Sequence, residues 1–133
     1  MAGYSGKLLF EKLGIKEDFK IKVINSPENF FDLLDLPWKP LISKGDSKAN
    51  YIHLFIKTVK ELDNNLPKLK SQVEKDGMIW ISWPKKSSKV ETDITEDVVR
   101  NLALKNGLVD IKVCAVDETW SGLKLVIPVK DRK

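Results

Sequence analysis

The chain has few of the residues that build the commonest specialised sites. Its only cysteine is Cys114, so no internal disulfide can close and a cysteine-rich metal site is excluded. Its only histidine is His53, which excludes a histidine-cluster metal site. Arginine occurs only at Arg100 and Arg132, although the net charge is +4 and the pI near 9.1. The positive charge is therefore almost all lysine, spread along the chain among acids. That reads as a solvated surface rather than a nucleic-acid reader, which leans on arginine for bidentate contacts. No apolar run approaches a membrane span. Met1-Ala2-Gly3-Tyr4-Ser5 lacks the charged-then-apolar pattern of a secretory signal. With a lone cysteine, these absences predict one cytoplasmic domain over residues 1–133.

Glycine-rich cradles are missing as well. The turn after the first expected strand reads Ile24-Asn25-Ser26-Pro27-Glu28-Asn29, without the glycine fingerprint that lets backbone approach a dinucleotide or methyl-donor cofactor. No Walker-type loop or nucleophile elbow occurs. The sequence assigns no cofactor.

What is present is a regular alternation of strands and helices. A helix is expected over Ser5–Leu13, stopped by Gly14, and a strand over Phe19–Ile24. Ser26-Pro27 is expected to open a second helix that ends at Pro37. Tyr51–Ile56 is almost wholly apolar, as a central strand covered on both faces would be. Thr58 and Glu61 form a capping box, and Val59, Leu62, Leu66, Leu69 and Val73 then mark one helix face. Pro67 predicts a kink or a restart near Asn64-Asn65, and Asp76-Gly77 an end. A strand over Met78–Trp83, a basic loop over Pro84–Glu91 and a helix from Asp93 or Thr95 to Lys105 follow. Val109–Val116 and Leu123–Val129 close the chain as an antiparallel hairpin.

Right-handed crossovers make the first four strands parallel. The expected fold is an α/β, three-layer Rossmann-like sheet with helices on both faces. Four parallel strands carry an antiparallel C-terminal hairpin strand in the order 1-2-3-5-4. That order follows a resemblance to Rossmann-like methyltransferases, which end in a similar helix and antiparallel hairpin.

In open α/β sheets ligands sit beyond the carboxyl ends of the strands. The expected rim holds Asn25, Ser26, Lys57 and Thr58, then Ser82, Trp83, Lys85 and Lys86, then Asp117, Glu118, Trp120 and Ser121. Trp83 beside two lysines suits an aromatic or anionic group. Equally, Trp83 plugs the sheet edge and the lysines stay solvated. Asp117, Glu118 and Trp120 on a hairpin tip suit acid–base work or ligand contact. Equally, they are turn residues, or a salt link from Lys85 or Lys86 ties the two loops together. His53 lies mid-strand, as a core histidine does. Cys114 reads as inert buried packing.

Several strings recur together: Gly3-Tyr4-Ser5-Gly6, Lys12-Leu13-Gly14-Ile15-Lys16, Trp80-Ile81-Ser82-Trp83-Pro84-Lys85-Lys86, Thr95-Glu96-Asp97-Val98-Val99-Arg100, and Gly107 to Lys124 with its Asp117-Glu118-Thr119-Trp120-Ser121-Gly122-Leu123-Lys124. In these the chain resembles a family of small, stand-alone bacterial proteins of unknown function over nearly its whole length. The resemblance implies no activity. Members tend to have glycine just after the first strand, where this chain has Asn25-Ser26.

The function expected is a non-catalytic module that binds a small anionic or aromatic ligand, or a protein partner, at that rim. Four tryptophans in so short a chain motivate it. One alternative is a small, degenerate methyltransferase-like enzyme at the same rim, with Lys85 or Lys86 as the electrostatic group and Asp117 or Glu118 as base. Another is weak nucleic-acid binding through lysines. A membrane partner and specific nucleic-acid recognition are not expected.

Overall fold

The computed structural model describes residues 8–132. Helix α1 is Leu9–Leu13, β1 Lys20–Ile24, α2 Phe30–Leu34, β2 Leu41–Ile42 and β3 Ala49–Phe55. Then come α3 Val59–Gln72, β4 Val73–Pro84, α4 Glu96–Lys105, β5 Val109–Ala115 and β6 Trp120–Val126. The expected Ser5 cap of α1 lies outside the described residues. No helix among them is long and apolar enough to cross a membrane.

All six strands form one sheet in the order β2-β1-β3-β4-β6-β5. β1, β3 and β4 run parallel, and β6 pairs antiparallel with both β4 and β5. The five expected strands are present, but strand count and order differ in detail because β2 adds an edge beyond β1. Two residues after Pro40 are too short to show any period. Helices α3 and α4 cover one face through Leu62, Leu66, Leu69, Val99 and Ala103. Helices α1 and α2 cover the other through Phe10, Leu13, Phe30 and Leu34. β5 is an outer edge rather than a covered strand, with Ile111 54% and Val113 47% exposed.

The β2-to-β3 connection is short for a parallel crossover, which ordinarily takes a dozen residues or more. It spans only 43–48, because β2 pairs beside the start of β1 and ends there. Lys22 on β1 takes the place of a crossover helix. Its Nζ donates to the carbonyls of Gly45 (2.7 Å) and Ser47 (3.1 Å) and to Gln72 Oε1 (2.9 Å). The loop is thereby pinned between β1 and α3.

Several boundaries differ from expectation for local reasons. Ser26 and Pro27 do not open α2. Asn25, at φ +59°, turns the chain, and the helix starts three residues after Pro27, whose carbonyl accepts from Phe30 N. Asp35 in the left-handed region ends it before Pro37. α3 runs through Pro67 without a restart and ends at Gln72, because Val73 is already extended and pairs with Ala49. The register then jumps from Ala49↔Val73 to Tyr51↔Met78. Gly77 sits in that bulge, where a Cβ would lie 2.8 Å from the Asn50 carbonyl oxygen.

The capping box of α3 forms as expected. Glu61 N donates to Thr58 Oγ1 (3.1 Å), and Thr58 N donates to Glu61 Oε1 (3.2 Å). Thr58→Ala removes the side-chain acceptor and is expected to cost about 1 kcal/mol in urea denaturation. An unchanged midpoint would show that the turn is held by other contacts.

Candidate functional site

β4 and β5 are both antiparallel to β6, so they point the same way. Their carboxyl ends share one end of the sheet with those of β1 and β3. The side chains gathered there nevertheless divide. Trp83 packs on the α3/α4 face, whereas Trp120 packs on the α1/α2 face with Phe55. The Trp120 and Phe55 rings meet edge-to-face at 5.1 Å and 86°. The division follows from where β6 begins. It starts at Trp120, three residues earlier than expected, and pairs Pro84 with Trp120 and Trp83 with Ser121. Trp120 and Ser121 are thus strand residues with alternating faces, not hairpin-tip residues.

Two clefts result. The first, of about 390 Å³, is lined by Asn25, Ser26, Pro27, Phe55, Ile56, Lys57, Glu61 and Trp120. It sits between the carboxyl ends of β1 and β3. From β1 the chain moves outward to β2, then returns past β1 to β3, so this gap is the topological switch point where open α/β sheets take ligands. Phe55 is buried and Trp120 half-buried, which gives the cleft an aromatic wall. Glu61 Oε1 accepts from Lys57 N at 3.1 Å, so the β3–α3 turn and its carboxylate are held together.

The second cleft, of about 520 Å³, lies between the end of β4 and the start of α4. Trp83, Pro84 and Ile94 supply its apolar wall, and Lys85, Lys86, Asp93, Glu96 and Ser121 its polar groups. The two clefts abut at the Lys57 carbonyl, which accepts from Thr92 Oγ1 (2.6 Å) and Asp93 N (3.3 Å).

Of the residues expected at one rim, Trp83, Lys85, Lys86 and Ser121 line the second cleft, and Asn25, Ser26, Lys57 and Trp120 the first. Thr58 caps α3, and the remaining three take different roles. Ser82 is fully buried, with its Oγ 2.7 Å from His53 Nε2, so it lies beneath the rim rather than in it. Asp117 Oδ1 accepts from the backbone N–H groups of Thr119 and Trp120, both at 2.8 Å, which makes it the organiser of the hairpin turn. Glu118 is exposed and lines neither cleft. Among the described residues no ion pair joins Lys85 or Lys86 to Asp117 or Glu118. The loops are tied instead by Lys85 N donating to the Thr119 carbonyl at 2.7 Å. The acid–base pair expected from Asp117 or Glu118 with a lysine is therefore not assembled. Sequence reasoning placed Asn25, Ser26 and Lys57 on the rim but missed Phe55 and Glu61, which it had assigned to strand core and helix cap.

His53 is a core histidine, 0% exposed. Tyr51 Oη lies 2.7 Å from its Nδ1, and the Phe55 ring stacks on it at 4.3 Å. Burial pushes its pKa from 6.5 down to about 3, so the imidazole is neutral at physiological pH. Cys114 is only half-buried, not the buried packing expected, because β5 is an edge. Desolvation raises its pKa and outweighs the opposing effect of Lys112 and Lys12, so it remains a thiol.

No family model matches the chain, and no curated protein does. Solved structures do. An S-adenosylmethionine (SAM)-dependent methyltransferase from Aquifex aeolicus is similar at TM-score 0.58 and 15% identity, over 90% of this chain and 87% of that one. A ribosomal protein L11 methylase from Lactobacillus delbrueckii subsp. bulgaricus is similar at TM-score 0.55 and 14% identity, over 90% and 75%. For magnesium protoporphyrin IX methyltransferase from Synechocystis the values are 0.50 and 13%, over 66% of this chain and 46% of that one. At these identities the likeness establishes the fold, a mixed α/β sheet with the Rossmann-like methyltransferase outline. The resemblance to a bacterial family of unknown function gains no support from it. The expectation of a non-catalytic binding module is overturned here. The solved structures similar to it include methyltransferases, and the methyltransferase-like alternative accords with them better.

Proposed function

We propose that the chain is a small methyltransferase-like enzyme that holds a sulfonium methyl donor of the S-adenosylmethionine class in the switch-point cleft. The observation that carries this reading is the cleft itself. It lies where a sheet of this outline takes its ligand, with an aromatic wall of Phe55 and Trp120 and the Glu61 carboxylate beside it.

The residues present suit such a group. The turn after β1 lacks the glycines that bring backbone close to a methyl donor, so in this reading side chains of the cleft do the holding. The donor needs a surface for a flat base, acceptors for ribose hydroxyls and both charge signs for its amino-acid end. The half-buried Trp120 offers an aromatic surface for the base, backed by Phe55, with Glu61 as an acceptor, Lys57 as a cation, and Asn25 and Ser26 as short polar groups. Asn25 also adopts the left-handed turn, φ +59°, that glycine would otherwise make. When bound, the donor supplies an electrophilic methyl group. The chain's part is to bind, orient and keep water from the aromatic wall.

The test is thermal denaturation with S-adenosylmethionine and S-adenosylhomocysteine. A ligand at 100 times its Kd stabilises the folded state by about 2.7 kcal/mol, so a concentration-dependent rise in Tm is expected. Trp120→Ala should weaken that response about tenfold, through loss of the aromatic wall. No rise at millimolar donor would rule the reading out.

A further inference from the structure

We infer that β5 is a surface for a second copy of this chain. Two copies pair antiparallel along it, about a two-fold axis through Val113, and join their sheets into one.

The two edges of the sheet differ. β2 is two residues long, too short to template another strand. β5 is seven residues long, contains no proline, and is the outermost strand among the described residues. Of the devices that keep an edge from pairing, it has a bulge between Asp110 and Lys112 and one free-standing charge, Lys112. Asp110 is held by Arg100 of α4. From Lys112 to Ala115 the strand is regular.

Two hydrogen bonds fix which way the backbone of that stretch faces. Lys85 N donates to the Thr119 carbonyl, so Thr119 faces β4, and Val116 N donates to the Trp120 carbonyl, so Val116 faces β6. Backbone polar groups alternate sides along an antiparallel strand. Cys114 and Lys112 therefore use theirs on Gly122 and Lys124, their partners in register on β6. The N–H and C=O groups of Val113 and Ala115 face outward, away from β6.

The side chains select the partner and the register. Val113 lies opposite Leu123 on the α3/α4 face and is half-exposed, whereas Lys112 and Cys114 alternate to the other face. A strand that pairs here must present its own outward N–H and C=O groups, an apolar side chain opposite Val113 and no cation opposite Lys112. β5 itself meets all three conditions when the axis passes through Val113. Val113 then exchanges two hydrogen bonds with the partner's Val113. Lys112 faces the partner's Cys114, and Ile111 the partner's Ala115. An axis through Lys112 would set two ammonium groups directly opposite each other. An axis through Cys114 would set Ile111 against the partner's Asp117. A two-fold contact of this kind closes at two copies. The switch-point cleft lies between β1 and β3, three strands inward, so the pairing leaves it open.

Sedimentation velocity from about 5 to 200 μM should show a monomer–dimer equilibrium, since a short edge contact sits at the weak end of interfaces. Val113→Pro should weaken it about thirtyfold, because each copy loses a donor. The lost N–H is one that β6 does not use, so the monomer should still fold. Val113→Lys serves where the proline variant does not fold, since it keeps the backbone and sets like charges face to face. In a Cys114→Ser background, Val113→Cys should link two copies by a disulfide on diamide oxidation, because Cα atoms paired in this way lie about 5.5 Å apart. The native protein, whose Cys114 faces the partner's Lys112, should not cross-link. A monomer throughout the range overturns the inference, as does a dimer that Val113→Lys leaves unchanged. Cross-linking of the native protein through Cys114 overturns the register.

Discussion

Between pH 6.5 and pH 5 the protein is expected to lose roughly 1.4 kcal/mol of stability for each unit the pH falls. The loss belongs to His53, the only histidine in the chain. Its ring is fully buried between Tyr51 Oη and Ser82 Oγ, both at 2.7 Å. Those hydroxyls can donate or accept, so either protonation state finds hydrogen bonds. Desolvation of the cation is what holds the pKa down to about 3. Above pH 6.5 the ring is neutral folded and unfolded, and stability does not depend on it. Below 6.5 the unfolded chain takes up a proton that the folded one refuses until its own pKa near 3. Over that whole window the loss is on the order of 5 kcal/mol. Carboxylates titrate mostly lower, so proton uptake on unfolding near pH 5.5 isolates the histidine. Urea midpoints at several pH values should slope for the native protein and flatten for His53→Gln. Should that variant fail to fold, the ring's NMR shifts in the native protein should stay constant down to about pH 4. A ring that titrates near 6.5 in the folded protein would remove the basis of the prediction.

Much of this interior was legible in the sequence. The apolar runs at Tyr51–Ile56 and Met78–Trp83 announce strands covered on both faces, and both lie at the centre of the sheet. The Thr58–Glu61 box and the Thr95 cap mark helix starts because a side chain must satisfy an orphan N–H within three residues. What the sequence could not display is set by pairing across the chain. Val73 reads as the end of a helix face but joins β4, because Ala49 offers it a partner. Asp117 reads as a free carboxylate until the hairpin turn claims it. Trp83 and Trp120 read as neighbours, yet a strand start three residues earlier sends them to opposite faces. The site divides into two clefts for the same reason, and no local pattern encodes that division.

Replacing Trp80 should be the most damaging single change on the α1/α2 face. The side chain is 0% exposed, and its Nε1 donates to the Leu13 carbonyl at 2.9 Å. Leu13 ends α1, where carbonyls have no intrahelical partner, so the indole both fills the core and caps a helix of only five residues. Trp80→Ala removes both contributions and is expected to cost about 3–5 kcal/mol, much of a typical domain's total stability. Trp80→Phe keeps most of the bulk but not the N–H. It leaves the Leu13 carbonyl unpaired, for about 1–3 kcal/mol. The two variants separate packing from capping. Urea denaturation gives the totals, and amide exchange locates them. In Trp80→Phe, faster exchange should concentrate in Gly14 and Ile15, whose N–H groups bond back to Glu11 and Phe10, while β3 stays protected. Were Trp80→Phe as stable as the native protein with α1 exchange unchanged, the indole hydrogen bond would contribute nothing. α1 would then be held by Phe10 and Leu13 packing alone.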